Sequence, residues 1–388
     1  VPSWHETNWQ GIKADMTMRV ILAGGGHAHL AVLADWAKRP LPAARRQLVT
    51  SSRTTAYSGM LPGWLAGNYR TSALMIDLEP LAKAAGAELI VADVIGLDPG
   101  RRILQLSTGD ALAFDLLSLA TGGETDIFAL AALGDRLLTV KPVSAFVDRW
   151  PKLLAAQTSA RALNVAVVGG GAAGVELAIG ASAALALAHS QASVALVTPP
   201  DGFLPGHAAK VRKAALAELS RCGIAVHHAW ALGEKTGLRL STGAFLPADC
   251  VIAATGSRAP HWLALSGLAC NDQGFVAVGA DFRSTSHAAI FAAGDIINRA
   301  DRPLERSGVH AVKAGPVLAA NLRAVIAGTA LRQYQPRGRT LYLLALGERR
   351  AIVSWGGFVA AARWAWWLKD WIDRHFVRRY TQRSPRKQ

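Results

Sequence analysis

The sequence predicts an α/β protein built from two strand, glycine-turn, helix units, with an amphipathic helical region at its carboxyl end. Three observations lead there. The composition, 51% hydrophobic and 18% charged with 37 glycines, suits buried strands and helices joined by tight turns. A glycine triplet that follows an apolar strand and opens a helix occurs twice, at Gly24 and at Gly169. The length, 388 residues, allows two or three domains with cores of their own.

In chain order, residues 1–18 mix polar and aromatic side chains without an apolar run of leader length and read as a loosely ordered extension. Residues 19–23 (RVILA) form a short apolar strand that runs into Gly24-Gly25-Gly26-His27-Ala28-His29 and then a helical stretch. This is the setting a dinucleotide needs: Gly24 permits the tight turn, Gly26 lets a pyrophosphate approach the backbone, and the helix start offers unpaired N–H groups. The third fingerprint position is His29, a side chain expected to hold the helix away from the sheet or to turn toward the cofactor. The next strand ends at Ser51-Ser52-Arg53, so a serine hydroxyl replaces the carboxylate that usually meets a ribose.

The pattern returns at 163–168 (LNVAVV), which precedes Gly169-Gly170-Gly171-Ala172-Ala173-Gly174 and an alanine-rich helix. Here G-x-G-x-x-G is complete, and again no acid closes the following strand, which ends at Pro199-Pro200-Asp201. Two more buried strands end alike, 116–121 in Gly122-Gly123 and 250–255 in Gly256-Ser257. Residues 288–292 lead into Ala293-Gly294-Asp295, where a carboxylate after a glycine can take a sugar or ribityl hydroxyl. The repetition implies one Rossmann-like domain interrupted by another: 19–140 and 261–325 for the first, 141–260 for the insert, and 326–388 for a carboxyl-terminal domain.

Three cysteines, Cys222, Cys250 and Cys270, are too far apart for a Cys-x-x-Cys pair or a cluster of zinc thiolates. No metal site is expected. No window holds 18 clean apolar residues, so no membrane span is expected either. The net charge of +15 is uneven: residues 331–388 carry 13 Lys/Arg against 3 Asp/Glu. Within that stretch Trp364, Trp367, Leu368, Trp371, Ile372 and Phe376 recur at helical steps, while Lys369, Asp370, Asp373 and Arg374 populate another face. Arg378, Arg379, Arg383, Arg386 and Lys387 follow. An aromatic face beside a cationic flank describes a helix lying on an anionic membrane surface, with cover for the protein's own core or a homodimer contact as the other uses. Nucleic-acid binding explains the basic tail but neither fingerprint.

Taken together the motifs resemble the pyridine nucleotide-disulfide oxidoreductase superfamily, in its branch of type II NADH dehydrogenases and sulfide:quinone oxidoreductases. Residues 23–30 (AGGGHAHL), 57–69 (YSGMLPGWLAGNY), 76–81 (IDLEPL), Lys141-Pro142 and Ser354-Trp355-Gly356 resemble more closely the flavoprotein domain fused to some selenide water dikinases. The resemblance implies FAD on the first fingerprint, with His27 and His29 near its phosphates and Ser51 at a ribose. It also implies Asp93 and Val94 at the adenine end, Thr121-Gly122 beside the cofactor, Gly294-Asp295 at the ribityl phosphate, and Tyr57 toward the isoalloxazine. Gly169, Gly171 and Gly174 would receive NAD(P)H. Glu176 matches a glutamate near the nicotinamide–flavin contact, and 309–313 (VHAVK) matches a segment between flavin and quinone cavity.

The implied reaction is hydride transfer from NAD(P)H to flavin and two-electron delivery to a quinone or another small acceptor. Lys141 and Lys313 are candidates to stabilise negative charge on reduced flavin, Glu176 to orient nicotinamide or relay a proton, and His310 to pass protons to the acceptor. The place of action would be the cytoplasmic side of the inner membrane. No cysteine precedes position 222, which argues against sulfide and disulfide chemistry. A sulfur or selenium substrate for the same FAD, and a flavin-binding carrier or regulator without turnover, are the alternatives.

Overall fold

The computed structural model describes residues 17–41, 44–156, 162–188, 192–302, 304, 308–336 and 340–381. The expected amino-terminal extension therefore lies outside the described residues except for its last two, and Met18 already belongs to the first strand. Arg383, Arg386 and Lys387 also lie outside.

Two five-stranded parallel sheets carry the architecture. The first has the order Ile290–Ala292, Leu116–Leu119, Met18–Ala23, Ala44–Thr50, Ala87–Val91. Its strands are covered on both faces, so they read as continuous apolar runs instead of alternating ones, and Val20, Ile21, Leu22 and Ala23 have no exposed surface. One edge strand, Ile290–Ala292, comes from beyond the second sheet, which is how the chain interrupts one unit with another.

The second sheet runs Leu137–Thr139, Cys250–Ala253, Leu163–Val168, Ala192–Thr198, Ala225–His228. It begins four residues ahead of the boundary expected at 141. A short antiparallel ribbon, Glu124–Thr125 with Ser257–Arg258, joins the units. A small second core, with Leu130, Leu133, Leu137, Val251 and Leu238 among its members, lies under the three-stranded sheet formed by Ala231–Glu234, Gly237–Leu240 and Phe245–Pro247.

Each glycine turn is dictated by a close approach. Gly24 has φ +100°, and a Cβ there would lie 2.3 Å from the Ala120 carbonyl oxygen; Gly169 has φ +139°, and its Cβ would lie 2.1 Å from that of Ala254. Any other residue would force the strand ends apart. The helix His27–Lys38 then starts at Gly26 without a side-chain cap. It packs on Gly308–Ala327 so tightly that a Cβ on Gly315 would meet that of Ala31 at 2.6 Å.

The carboxyl-terminal region is not purely helical. Leu341–Ala345, Ala351–Trp355 and Phe358–Ala362 form an antiparallel meander that delivers the helix Arg363–Tyr380. That helix docks along Ala365, Trp366, Lys369, Asp373, Phe376, Val377 and Tyr380, all buried. The face assignment expected from sequence is thereby corrected: Lys369 and Asp373 turn inward with Phe376, while Trp364, Trp367 and Trp371 are 50–65% exposed. Burying the apolar members of the stripe stabilises the docked helix by about 1.5–3 kcal/mol for each large side chain, enough to carry an ion pair in its middle. Among the described residues no helix is long and apolar enough to cross a membrane.

Candidate functional site

The site is built around the first glycine turn. Gly25, Gly26 and His27 are half-buried at the mouth of their helix. The uncapped N–H groups there carry the positive end of the helix dipole. Two polar atoms beside them, His27 Nε2 and Thr121 Oγ1, are buried without a hydrogen-bond partner. Gly122, at φ +78°, has nothing within 4 Å of where its Cβ would stand. A bare turn, an open helix start and orphaned polar atoms are what a pyrophosphate-bearing cofactor would satisfy, so these residues fit FAD.

His29 is placed otherwise than expected. Its Nδ1 meets the Gly24 carbonyl at 2.7 Å and its Nε2 meets Ser118 Oγ at 2.8 Å, in full burial. Burial holds the imidazole neutral, its pKa lowered to about 4, against the opposing bond to Gly24. Both ring nitrogens are engaged within the protein, so His29 fills the gap between helix and sheet and has no atom left for a ligand. The helix is not pushed away either, since a Cβ on Gly26 would still lie 2.5 Å from the Ala120 carbonyl.

Where the two units join, Lys141 forms an ion pair with Asp295 and donates to Ser257 Oγ at 3.2 Å, while its backbone N–H donates to Thr125 Oγ1. Asp295 follows Gly294, whose φ is +82°. One lysine thus ties the ribbon, the insert and the returning part of the first unit together. His27 senses both charges: burial lowers its pKa most, Asp295 opposes this and Lys141 adds to it.

Tyr57 stands over His27, ring edge to ring at 5.4 Å, and stacks on Phe376 at 4.3 Å. Its hydroxyl donates to Asp373 Oδ1 at 3.3 Å, and burial, with the Asp373 charge, pushes its pKa up. Lys369 Nζ donates to Asp373 Oδ2 at 2.8 Å and to the Gly59 carbonyl at 2.7 Å. Burial raises the Asp373 carboxyl, with Lys369 opposing.

Glu176, half-buried on the second fingerprint helix, accepts from the Ala345 N–H at 2.6 Å. Burial pushes its carboxyl up to about 7, against the pull of the Lys369 charge and the Ala345 bond, with Asp373 adding. Sequence reasoning missed Lys369 and Asp373 as site residues. The usable signal was a charged i, i+4 pair inside the 366, 369, 373, 376, 380 stripe, whose alternating steps of three and four mark a docking face.

The remaining candidates are less concentrated. His310 Nδ1 lies 3.2 Å from the Tyr334 hydroxyl, and Lys313 is half-buried on the same helix. A Cβ on Gly308, where this helix starts, would come within 3.4 Å of Ser58 Oγ, next to Tyr57. Ser51 is exposed at its strand end, and Asp93 and Ser107 bond each other's backbones beside half-buried Val94.

In the second turn Gly171 has open space before it, and a Cβ on Gly174 would lie 1.9 Å from the Gly169 carbonyl. There the strand end is occupied by Thr198, bonded to His228 Nδ1 at 3.1 Å. Cys222, Cys250 and Cys270 are free thiols, and burial raises each, Cys250 to about 12. None belongs to a segment framing the first turn. Among the described residues no group of three or more potential ligands could hold a metal ion.

Comparison with known proteins agrees with this architecture. The family model described as pyridine nucleotide-disulphide oxidoreductase matches residues 18–315. The sulfide:quinone oxidoreductase of Aquifex aeolicus superposes with a TM-score of 0.76 at 16% identity, over 94% of this chain and 92% of that one. The water-forming NADH oxidase of Lactobacillus brevis, bound to NADH, gives 0.70 at 20% identity over 87% and 75%. A NAD-dependent persulfide reductase from A. fulgidus gives 0.70 at 18% over 88% and 64%. At these identities the likeness is one of fold.

Proposed function

The chain belongs to the pyridine nucleotide-disulphide oxidoreductase family, whose members are FAD-dependent NAD(P)H oxidoreductases, and we propose that it passes electrons from NAD(P)H to a quinone at a membrane surface. The observation that carries this reading is the meeting, beside the first glycine turn, of an aromatic wall and buried proton-holding groups without a thiol. His27, Tyr57 and Phe376 supply the wall; Asp373 and Lys369 supply the ionisable groups, and their charges reach Glu176 on the second fingerprint helix.

FAD, when bound, supplies hydride acceptance from the nicotinamide and two-electron donation to an acceptor. The first turn and its helix start would hold the pyrophosphate, and Asp295 a ribityl hydroxyl. Lys141, fixed by Asp295 and Ser257, keeps a cation at the joint of the two units, where it can offset negative charge. The second turn, open before Gly171, would take the NAD(P)H pyrophosphate.

Reduction of a quinone by NAD(P)H takes up one proton beyond the transferred hydride. Glu176 suits that duty, because burial sets its carboxyl to gain and lose a proton near neutral pH. A quinone is also flat and apolar, in keeping with the aromatic wall that Tyr57 and Phe376 form by stacking on each other.

The outward tryptophans of the terminal helix and its arginines would hold the protein peripherally on an anionic surface, on the cytoplasmic side where NAD(P)H is available. The test is anaerobic titration of the yellow protein with NADH and with NADPH, followed by a soluble quinone. Bleaching by one nucleotide and recolouring by quinone is the expected result. Bleaching only by a sulfur or selenium compound would transfer the case to that substrate class, and stable colour under every donor would leave a carrier.

A further inference from the structure

The outer face of the terminal helix is more than an aromatic surface. Along the exposed face of this one helix, Trp367, Asp370, Trp371, Arg374, His375 and Arg378 line a shallow cleft of about 320 Å³. Trp367 is 58% and Trp371 65% exposed, and the Trp371 ring stacks on His375 with centroids 5.7 Å apart.

Arg374 is held in place. Its Nε donates to both Asp370 oxygens at 2.8 and 2.9 Å, and its guanidinium carbon sits 5.2 Å from the Tyr69 ring centroid. Among the described residues its terminal nitrogens make no hydrogen bond. Arg378, one turn on, pairs with no acid among the described residues and is exposed.

Two guanidinium groups against one carboxylate leave an excess positive charge in the cleft. A guanidinium fork matches the oxygens of a phosphate. The aromatic surface continues from the cleft through Trp364 to Phe358, whose rings lie 6.4 Å apart, and Trp355 and Phe358 are more than half exposed. An anion that brings its own apolar body satisfies both halves of this surface; a free ion satisfies one.

We propose that this cleft seats the phosphate of an anionic lipid headgroup. The inference rests on the membrane part of the function proposed above and names its chemistry: Arg378 and Arg374 hold the phosphate, His375 and Trp371 wall it, and the tryptophans enter the interface beside it.

The test uses the full, FAD-loaded chain and three vesicle types at fixed ionic strength. These are phosphatidylcholine alone, phosphatidylcholine with phosphatidylglycerol, and phosphatidylcholine with oleate at matched surface charge, which offers carboxylate in place of anionic phosphate. Flotation is expected to show phosphatidylglycerol vesicles bound about five- to tenfold more tightly than oleate vesicles, a difference the Arg378→Gln, His375→Gln double variant removes. Trp367→Ala should weaken binding to all three alike.

Equal affinity for the two anionic vesicles overturns the headgroup seat and leaves membrane attachment standing. Attachment to no vesicle overturns both, while the anaerobic flavin titration still judges the chemistry. Binding of inorganic phosphate to the protein alone, with no vesicle preference, makes it a free-anion site and also overturns the proposal.

Discussion

The two glycine turns share a sequence pattern and differ in how the protein finishes them. At the second, Gly174 lets the helix press directly on the turn, as a complete G-x-G-x-x-G should. At the first, a histidine occupies that place, yet the helix stays close because His29 bonds inward to Gly24 and Ser118. The carboxyl-terminal region completes each unit differently: Phe376 and Asp373 wall the first site through Tyr57, while the Ala345 N–H caps Glu176 of the second. A shared fingerprint therefore specifies the bare turn and its helix start, and the surroundings specify what stands beside them.

Substitution at the two turns gives the largest contrast. Gly24→Ala places a Cβ against the Ala120 carbonyl at positive φ and should yield protein without flavin, whereas Gly169→Ala should keep flavin and lose bleaching by NAD(P)H. The ratio of flavin to protein absorbance, read beside anaerobic bleaching, separates them; equal flavin content in both would erase the assignment of cofactors to turns.

Next in size is the ion pair that fastens the terminal helix over the first site. Lys369→Met leaves Asp373 buried without its cation and should cost about 3–5 kcal/mol, while Lys369→Met with Asp373→Leu should recover most of it. Urea melts of the three proteins measure this. A single variant as stable as the parent would show that the helix does not depend on the pair.

A smaller effect is catalytic. Glu176→Gln keeps the acceptor for the Ala345 N–H but removes the titrating group, so turnover with quinone should fall about 10²-fold and lose its pH dependence near 7, with bleaching by NAD(P)H intact. Unchanged turnover and profile would remove Glu176 from the acceptor half of the reaction.

The smallest effects have opposite signs in the two units. His29 has a folded pKa below its unfolded value, so the unfolded chain binds more protons and stability is lost as pH falls from 6.5 through about 4. Glu176 has a folded pKa above its unfolded value, so the folded chain binds more protons and stability is lost as pH rises from 4.5 through about 7. Glu176→Gln should then gain about 1–2 kcal/mol at pH 8 relative to pH 5, and His29→Gln should flatten the acid side of the same thermal-melting series. Parallel slopes in both variants would mean that other groups govern the pH response.

The sequence made the turns legible because their chemistry is local: a strand, a glycine at positive φ and a helix start lie within a dozen residues. Tyr57 and Glu176 enter through resemblance alone, and the structure sets Tyr57 over His27 and bonds Glu176 to the Ala345 N–H. The direction of His29 was not legible, since nothing nearby announces Ser118, almost ninety residues away, as its partner. The docked face of the terminal helix was misread for a related reason. Lys369 and Asp373 look solvated one at a time and become buriable only as a pair, with Tyr57 and the Gly59 carbonyl supplied by the far end of the chain. The meander before that helix went unnoticed, because its three five-residue strands sit inside a basic stretch read as one helical region.

The first sheet's edge strand, Ile290–Ala292, has a consequence for biosynthesis. The ribosome releases Met18–Ala23 long before it has made the strand that borders Leu116–Leu119, so the amino-terminal half waits with an unpaired edge while the insert is translated. The later unit, continuous in the chain from Leu137 to Ala253, can close first. Birth order and completion order are thus reversed, and a chain stopped short of residue 290 would emerge with a finished insert and an open parent.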